Sequence, residues 1–436
     1  MKSSLDGSSP LSPEKRLQAM LAVEAALASA LQKSGIISKE QAAAISEACE
    51  SKSFNTIPLN QAGAIAGTPV IPLVKEIVSR TKAKSGGAAS YIHYGATSQD
   101  ILDTATVLQL KEAVSQIGRQ LQRIESAFSS LAKEHVNTVV LGRTLLQPGP
   151  PVSFGLKVAA WKAAITRGRQ RLEAAANGGL VVQFGGAVGN LSSLDDKGMQ
   201  IAQFLAAELD LELPDAPWHT HRDRMAELAS ATGILIGSMG KIARDISLHG
   251  QGEVGELHEA APTDEGSSSA MPHKRNPVSC MHVLVASNQA PALVSSLLSA
   301  MPQEHERGLG GWQSEWPTLQ TLFAAAMSAS AAMAELSERL EVDTAKMKSN
   351  LQSTREVVFS ERLATSLIPQ LGRLEAQELV SDLVAKSNAH GKRLSELAAE
   401  DATIQSTLNA AGLEAVFSIE LSLGSSEELT NRLLQA

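Results

Sequence analysis

The sequence predicts an all-α protein built around a long central bundle of five helices. The 436-residue chain has only 3% aromatic residues and is rich in alanine, leucine, glutamate and serine, a mix that (serine apart) favours helix over strand. Its middle repeats apolar residues at alternating steps of three and four, which is typical of long helices packed side by side. We therefore predict three mostly helical domains: residues 1–104, a central bundle over 105–345, and a small C-terminal domain over 346–436.

The N-terminal helices are predicted from the signals at their ends. Ser12 and Pro13 have the pattern of an N-cap followed by a proline at the first helical position, and Gly35 ends this helix. Ser38 and Gln41 have the spacing of a capping box that opens the next helix. Residues 51–99 are predicted to form short helices and loops. The first helix gathers on one face Leu17, Met20, Leu21, Glu24, Leu27 and Leu31.

Four stretches carry the heptad pattern of the bundle, and a fifth, over residues 279–301, is interrupted by Pro291. Thr220 and Asp223 have capping-box spacing at the start of the third helix. At about 1.5 Å per residue, these helices span roughly 30–50 Å. The apolar positions are Val107, Leu110, Val114, Ile117, Leu121, Ile124, Phe128 and Leu131; Phe154, Val158, Trp161, Ile165, Gly168 and Leu172; Met225, Leu228, Thr232, Leu235, Met239, Ile242 and Ile246; and Leu319, Leu322, Ala326, Ala329, Met333, Leu336 and Leu340.

Composition restricts the partners and the compartment. A formal net charge of −8 argues against nucleic acid, whose phosphates need a basic face. No apolar run is long enough to span a membrane, and Met1 to Ser12 lacks the apolar segment of a secretory signal. Cys49 and Cys280 are too few for a disulfide framework, so the cytoplasm is expected.

Three polar segments are unlike helix packing and are candidates for chemistry. Residues 91–100 place Thr97, Ser98 and Asp100 where a helix N-terminus favours an anion, although an ordinary N-cap with a turn glycine is the simpler explanation of this segment alone. In residues 142–147, Arg143 is suited either to forking onto a substrate carboxylate or to pairing with a nearby acid. Residues 266–277 combine small hydroxyl residues and two prolines with Lys274 and Asn276, which indicates a functional loop.

The third segment resembles the signature loop of the fumarase/aspartase superfamily, Gly-Ser-Ser-x-Met-Pro-x-Lys-x-Asn-Pro. The other two segments resemble the Thr-Ser-x-Asp and Gly-Arg-Thr-x-x-Gln regions of that family. The resemblance implies Ser268 as the catalytic acid or base, with Ser267 and Ser269 as open alternatives. It also implies Lys274 and Asn276 as stabilisers of an aci-carboxylate, a fumarase/aspartase-like fold, a homotetramer whose active sites are shared between subunits, and no cofactor. The substrate-binding residues implied are His93, Thr97, Ser98, Arg143, Thr144 and Gln147.

Two features narrow the choice of reaction within that family. Leu145 stands where fumarases and adenylosuccinate lyases have a histidine that exchanges protons, and leucine cannot. Residues 304–316 resemble the matching stretch of the 3-carboxymuconate cycloisomerases and supply Arg307 and Trp312 as substrate contacts, with burial in the bundle as the alternative for Trp312. We therefore expect a small polycarboxylate substrate: 3-carboxy-cis,cis-muconate, lactonised to 4-carboxymuconolactone in aromatic catabolism through protocatechuate.

Alternative functions are an adenylosuccinate lyase or a related C–N or C–O lyase of the same family, and a catalytically silent scaffold. His219 and His221 form only a weak metal motif because no cysteine or acid stands at ligand spacing. The glycines of residues 185–189 resemble the family's substrate loop and lack the context of a dinucleotide fingerprint. An acidic run is either a solvated face or an aid in orienting the loop: Glu253, Glu256, Glu259 and Asp264.

Overall fold

The computed structural model describes residues 9–50, 54–260 and 275–435, and most of them are helical. They form two compact units. Unit 1 comprises Met1–Gln120, Gly168–Met239 and Val285–Ala331; unit 2 comprises Leu121–Arg167, Gly240–Leu284 and Ala332–Ala436. The all-α fold class is confirmed, whereas the division into three domains stays a prediction.

The N-terminal helices begin where their capping residues predict. Ser12 accepts a hydrogen bond from the Lys15 backbone N–H, and Gly35 follows the first helix with a φ of +70°. Ser38 and Gln41 form the predicted capping box. The helices are α1 (Pro13–Lys33), α2 (Lys39–Ala48), α3 (Thr56–Ala66), α4 (Val70–Lys82) and α5 (Gly86–Ala89).

The five heptad stretches are confirmed as helices, and most of their stripe residues are buried. Two details of the prediction are wrong. Leu340 lies in a strand beyond its helix, and the Thr220 hydroxyl donates to the carbonyl of His305 instead of capping a helix. The helices are α6 (Ser98–Glu134), α7 (Phe154–Gly179), α9 (Asp223–His249), α10 (Val278–Ser299), which contains Pro291, and α11 (Gly311–Glu338), with the shorter α8 (Gly198–Glu208) before α9.

Within the described residues, four short strands form two antiparallel pairs that the sequence analysis did not predict: β1 (Val139–Thr144) with β2 (Gln147–Ser153), and β3 (Leu257–Glu259) with β4 (Leu340–Val342). Leu145 and Leu146 form the turn between β1 and β2 with positive φ values of 50° and 64°. Leucine rarely adopts this conformation, for which hairpin turns favour asparagine or glycine. Both side chains are exposed.

The helices after residue 343 are shorter, as predicted. Those after residue 360 surround a small core of their own that includes Leu363, Leu367, Val380 and Leu383. Among the described helices, none has the length and hydropathy required to cross a bilayer. The last helices are α12 (Thr344–Ser353), α13 (Ser360–Leu371), α14 (Arg373–His390), α15 (Leu394–Glu400), α16 (Ala402–Thr407), α17 (Ala410–Phe417), α18 (Ile419–Ser422) and α19 (Ser426–Gln435).

Candidate active site

In unit 1, the buried carboxylate of Asp100 organises the start of α6. It accepts from the backbone N–H of Thr97 at 3.0 Å, which is half of a capping box, and from the N–H groups of Gly185 and Gly186 at 3.0 and 2.9 Å. Gln183 donates to it, and Nε2 of His219 lies 2.7 Å away. One side chain therefore fixes the Thr97 turn, the glycine loop and the His219 segment together.

Arg307 is held by neutral acceptors. Its guanidinium donates to Oε1 of Gln99 at 2.9 Å and to the carbonyls of Gly186 and Ala187 at 3.2 and 2.6 Å. Among the described residues, no carboxylate lies within ion-pair distance of it. Its orientation is thus fixed by the loop that Asp100 organises, while its charge stays available for an anionic ligand.

A second buried network in unit 1 joins one cation to two acids. Arg222 lies 2.7 Å from an oxygen of Asp103 and 2.6 Å from an oxygen of Glu315, and all three side chains are buried. Trp312 is also buried, and its Nε1 donates to Asp103 at 2.9 Å. Its ring meets that of Trp316 edge to face at 4.7 Å. Trp312 thus packs inside unit 1 as the alternative interpretation expected, and its contact with substrate stays a prediction.

In unit 2, Arg143 forks onto the carboxylate of Glu256, with N–O distances of 2.9 and 2.8 Å. Burial opposes ionisation of Glu256, but hydrogen bonds from His249, Arg143 and Asn350 outweigh it and lower the pKa of its carboxyl to about 2. Of the two roles open to Arg143, pairing with an acid is the one observed. Its role in substrate binding stays a prediction.

The same network continues from Glu256 to a half-buried lysine. Nδ1 of His249 lies 2.6 Å from Glu256, and Nζ of Lys157 lies 3.2 Å from Nε2 of the same ring. Burial lowers the pKa of Lys157. Chemically, this arrangement resembles a proton-sharing chain, although nothing in the sequence pointed to it.

The residues of the acidic run between Glu253 and Asp264 that the structure describes have separate roles. Glu256 is fully buried in the network just described, and Glu259 accepts from the backbone N–H groups of Ser279 and Cys280, each at 3.0 Å, at the first turn of α10. A carboxylate there complements the helix dipole. Glu259 thus orients the helix that follows the predicted signature loop, and Asp264 lies outside the described residues.

The remaining predicted site residues lie in three settings. Ser98 is half-buried at the start of α6 in unit 1, whereas Thr144 and Gln147 are exposed at the ends of β1 and β2 in unit 2. Asn276 is exposed just before α10. The predicted catalytic residues Ser268 and Lys274, with Ser267 and Ser269, lie outside the described residues.

Gln99 is a site residue that the sequence analysis missed. Asp100 was named there only as part of a helix start that favours an anion, and His219 only as part of a weak metal motif. Asp100 and Asp103 stand three apart among apolar Ile101 and Leu102, which places two acids on the buried side of a helix start. That spacing was an available signal for a buried acidic network at this helix start. The ring of His219 contacts Asp100 through Nε2. Among the described residues, no group of three His, Cys, Asp or Glu is arranged to hold a metal.

Comparison with known proteins identifies the family of this chain. Residues 9–291 match the family described as "Lyase", and residues 356–433 match "Adenylosuccinate lyase C-terminus". The 3-carboxy-cis,cis-muconate cycloisomerases of Bradyrhizobium diazoefficiens and Pseudomonas aeruginosa are 42% and 41% identical, covering 96% of this chain in each case and 93% and 91% of the relatives. The crystal structure of 3-carboxy-cis,cis-muconate lactonizing enzyme from Pseudomonas putida superposes with a TM-score of 0.91 at 39% identity, covering 97% of this chain and 94% of that one. This chain therefore belongs to the fumarase/aspartase superfamily of lyases, and it resembles the 3-carboxy-cis,cis-muconate cycloisomerases over nearly its whole length.

Proposed function

We propose that this protein is a cofactor-independent cycloisomerase that lactonises 3-carboxy-cis,cis-muconate to 4-carboxymuconolactone in the catabolism of aromatic acids through protocatechuate. The observation that carries the proposal is the similarity to proteins of that name at about 40% identity over nearly the full chain. Leu145 supports it, because a reaction whose leaving group and nucleophile is a carboxylate needs no histidine at that position.

In the proposed reaction, a carboxylate of the substrate adds to an alkene carbon and forms the C–O bond of the lactone. The electron pair displaced from the double bond passes to the neighbouring carbon, where the adjacent carboxylate takes it up as an aci-carboxylate. The Ser268 hydroxyl then delivers its proton to that carbon, and the resulting alkoxide recovers a proton from water. Lys274 and Asn276 would stabilise the charge that develops.

Arg307 is the substrate cation that the geometry supports best. A guanidinium has a planar fork that matches a carboxylate, and that of Arg307 is oriented by three neutral acceptors. Arg143, by contrast, already forms an ion pair with Glu256. The half-buried His93, Thr97 and Ser98 belong to the same unit as Arg307, and we propose that they complete its carboxylate-binding surface.

We further propose that the enzyme is a homotetramer whose active sites are shared between subunits. The resemblance to the family supports this, and so do large apolar side chains that this chain leaves in solvent. Leu145 is 96% exposed, Leu146 72%, and Ile234 on α9 50%. Exposed apolar side chains of this size are typical of surfaces that contact other subunits.

The cytoplasm is the proposed compartment. Cys49 and Cys280 are both free and buried. Burial raises the pKa of the Cys49 thiol to about 12, so it stays protonated and unreactive at neutral pH. Two inert thiols fit a reducing compartment.

The direct test mixes the purified protein with 3-carboxy-cis,cis-muconate, without metal or nucleotide, and follows loss of the diene's ultraviolet absorbance. We expect rapid decay and formation of the lactone, identified by mass spectrometry and NMR. Adenylosuccinate and argininosuccinate are tested beside it. Turnover of either of these, with the muconate left intact, would contradict the proposal and establish a C–N lyase instead.

Replacing Arg307 with glutamine should raise KM for the muconate by roughly 10- to 100-fold, the worth of one charge-assisted pair, with a smaller change in kcat. The melting temperature should stay nearly constant, because the partners of Arg307 are neutral and its removal leaves no buried charge without a counter-ion. Arg143→Gln is the contrast: it leaves Glu256 buried beside fewer donors and should lower the melting temperature. An unchanged KM in Arg307→Gln would show that Arg307 does not bind the substrate.

A further inference from the structure

Glu24 is an acidic residue in apolar surroundings. It lies in the middle of α1, on the face that carries Met20, Leu21 and Leu27, and only 1% of it is exposed. Its Oε2 is buried without a hydrogen-bond partner among the described residues. Leaving such an atom unsatisfied costs about 1–3 kcal/mol. An apolar residue would therefore serve the packing of α1 better, and the acid needs another explanation.

The other oxygen of Glu24 contacts a residue of the candidate site. Its Oε1 lies 2.7 Å from Nδ1 of His93, which is 69 positions away in sequence. An ionised carboxylate only accepts hydrogen bonds, so Nδ1 carries the proton and donates it. The ring is left with Nε2, to which no described residue is bonded, and its side chain is 20% exposed.

The backbone around His93 is also constrained. His93 has a φ of +59° and Gly95 a φ of +76°. A non-glycine residue in the left-handed region costs of order 1 kcal/mol and persists only where its surroundings impose it. The bond to Glu24 is such a restraint, because it fixes the ring of a residue in a loop to a rigid helix.

We propose that Glu24 is a positioning residue that orients His93 and keeps it as an imidazolium, so that Nε2–H meets a carboxylate of the substrate. This inference rests on the proposed function, in which His93 faces the tricarboxylate. Glu24 itself does not touch substrate. It acts only through the histidine.

The charges around His93 support this assignment. Burial alone would lower the pKa of the ring, but the hydrogen bond that the ring donates to Glu24 and the negative charges of Glu24 on α1 and Asp100 on α6 outweigh it, so the pKa is raised. The imidazolium therefore persists to higher pH than in an ordinary histidine. Without the charge of Glu24, burial would favour the neutral ring, and the cation would disappear at a lower pH.

The first test compares Glu24→Gln with the wild-type enzyme on the muconate across pH 5.5–8.5. The variant should lose kcat/KM at neutral pH by on the order of tenfold, the worth of one charge-assisted hydrogen bond. The loss should lie mainly in KM and shrink as the pH falls, because a lower pH favours the imidazolium of His93 in both enzymes. Glu14→Gln, an exposed acid in the first turn of the same helix, is the matched control and should behave as wild type. A pH-independent loss would overturn the proposal.

The second test needs no substrate and stands even if the muconate proves inert. The rate at which diethylpyrocarbonate modifies His93, followed by mass spectrometry against pH, reports the neutral ring. Its midpoint should fall in Glu24→Gln, while that of the exposed His390 in the same digest stays constant. An unchanged midpoint for His93 would overturn the proposal.

The melting temperature of a Glu24 variant distinguishes a positioning role of this residue from a role in packing. Glu24→Met has similar volume and removes a buried charge, so its melting temperature should equal or exceed that of wild type while activity falls. A drop of several degrees would show that Glu24 is retained for folding, and the proposal would then fail.

Discussion

Replacing Ser268 with alanine should lower kcat for lactonisation by about 10²- to 10⁴-fold, the range typical of removing a general acid or base. The reason is chemical, because the carbon next to the new C–O bond must receive a proton and alanine has none to give. Lys274, six positions on, would stabilise the alkoxide left behind. KM should change little, since a methyl group in place of a hydroxymethyl leaves the carboxylate contacts intact.

Ser267→Ala and Ser269→Ala are the matched controls, because each removes the same atom from the same loop. Each should keep at least a tenth of the wild-type kcat. If Ser267→Ala or Ser269→Ala is the inactive variant and Ser268→Ala retains activity, the motif alignment is displaced by one residue. Measuring kcat by the loss of diene absorbance, with circular dichroism to confirm folding, decides among the three.

Replacing Arg222 with leucine should lower the free energy of unfolding by about 3–5 kcal/mol, because it leaves two buried carboxylates without their cation. Asp103 and Glu315 each lie within 2.7 Å of Arg222, and all three are almost fully buried. Burial, and the neighbouring Asp103 carboxylate, raise the pKa of Glu315 even with Arg222 present. Chemical denaturation at pH 7, followed by circular dichroism, measures the loss.

Arg123→Leu is the control, since Arg123 pairs with Glu338 through a similar fork at an exposed position. Exposed pairs contribute about 0–1 kcal/mol. The deficit of Arg222→Leu should also shrink as the pH falls towards 5, because an unpaired buried carboxyl with a raised pKa takes up a proton and loses its charge. A deficit no larger than that of Arg123→Leu, or one that does not respond to pH, would contradict this account.

The sequence by itself determined the helices, because their signals are local. Ser38 and Gln41 are three positions apart, and the two hydrogen bonds of their capping box involve no residue distant in sequence. The heptad stripes from Val107 to Leu336 identify the buried faces because spacing along one helix decides which side chains share a side. The family motifs are local as well. Contiguous residues in the loop and in the Thr-Ser-x-Asp segment sufficed to place the chain among lyases.

Only the tertiary structure decided what each charge does. Arg143 and Arg307 both follow from motifs as candidate cations, yet one pairs with Glu256, 113 positions away, while the other rests on neutral acceptors. The β1–β2 hairpin was missed because its turn uses two leucines in a conformation that leucine seldom adopts. The sequence places Glu24 on the apolar face of the first helix, and only the fold shows that its carboxylate lies 2.7 Å from His93. Charged partners that are distant in sequence produce no periodic sequence pattern. The electrostatics of the site are therefore known only from the fold, which brings such partners within about 3 Å of each other.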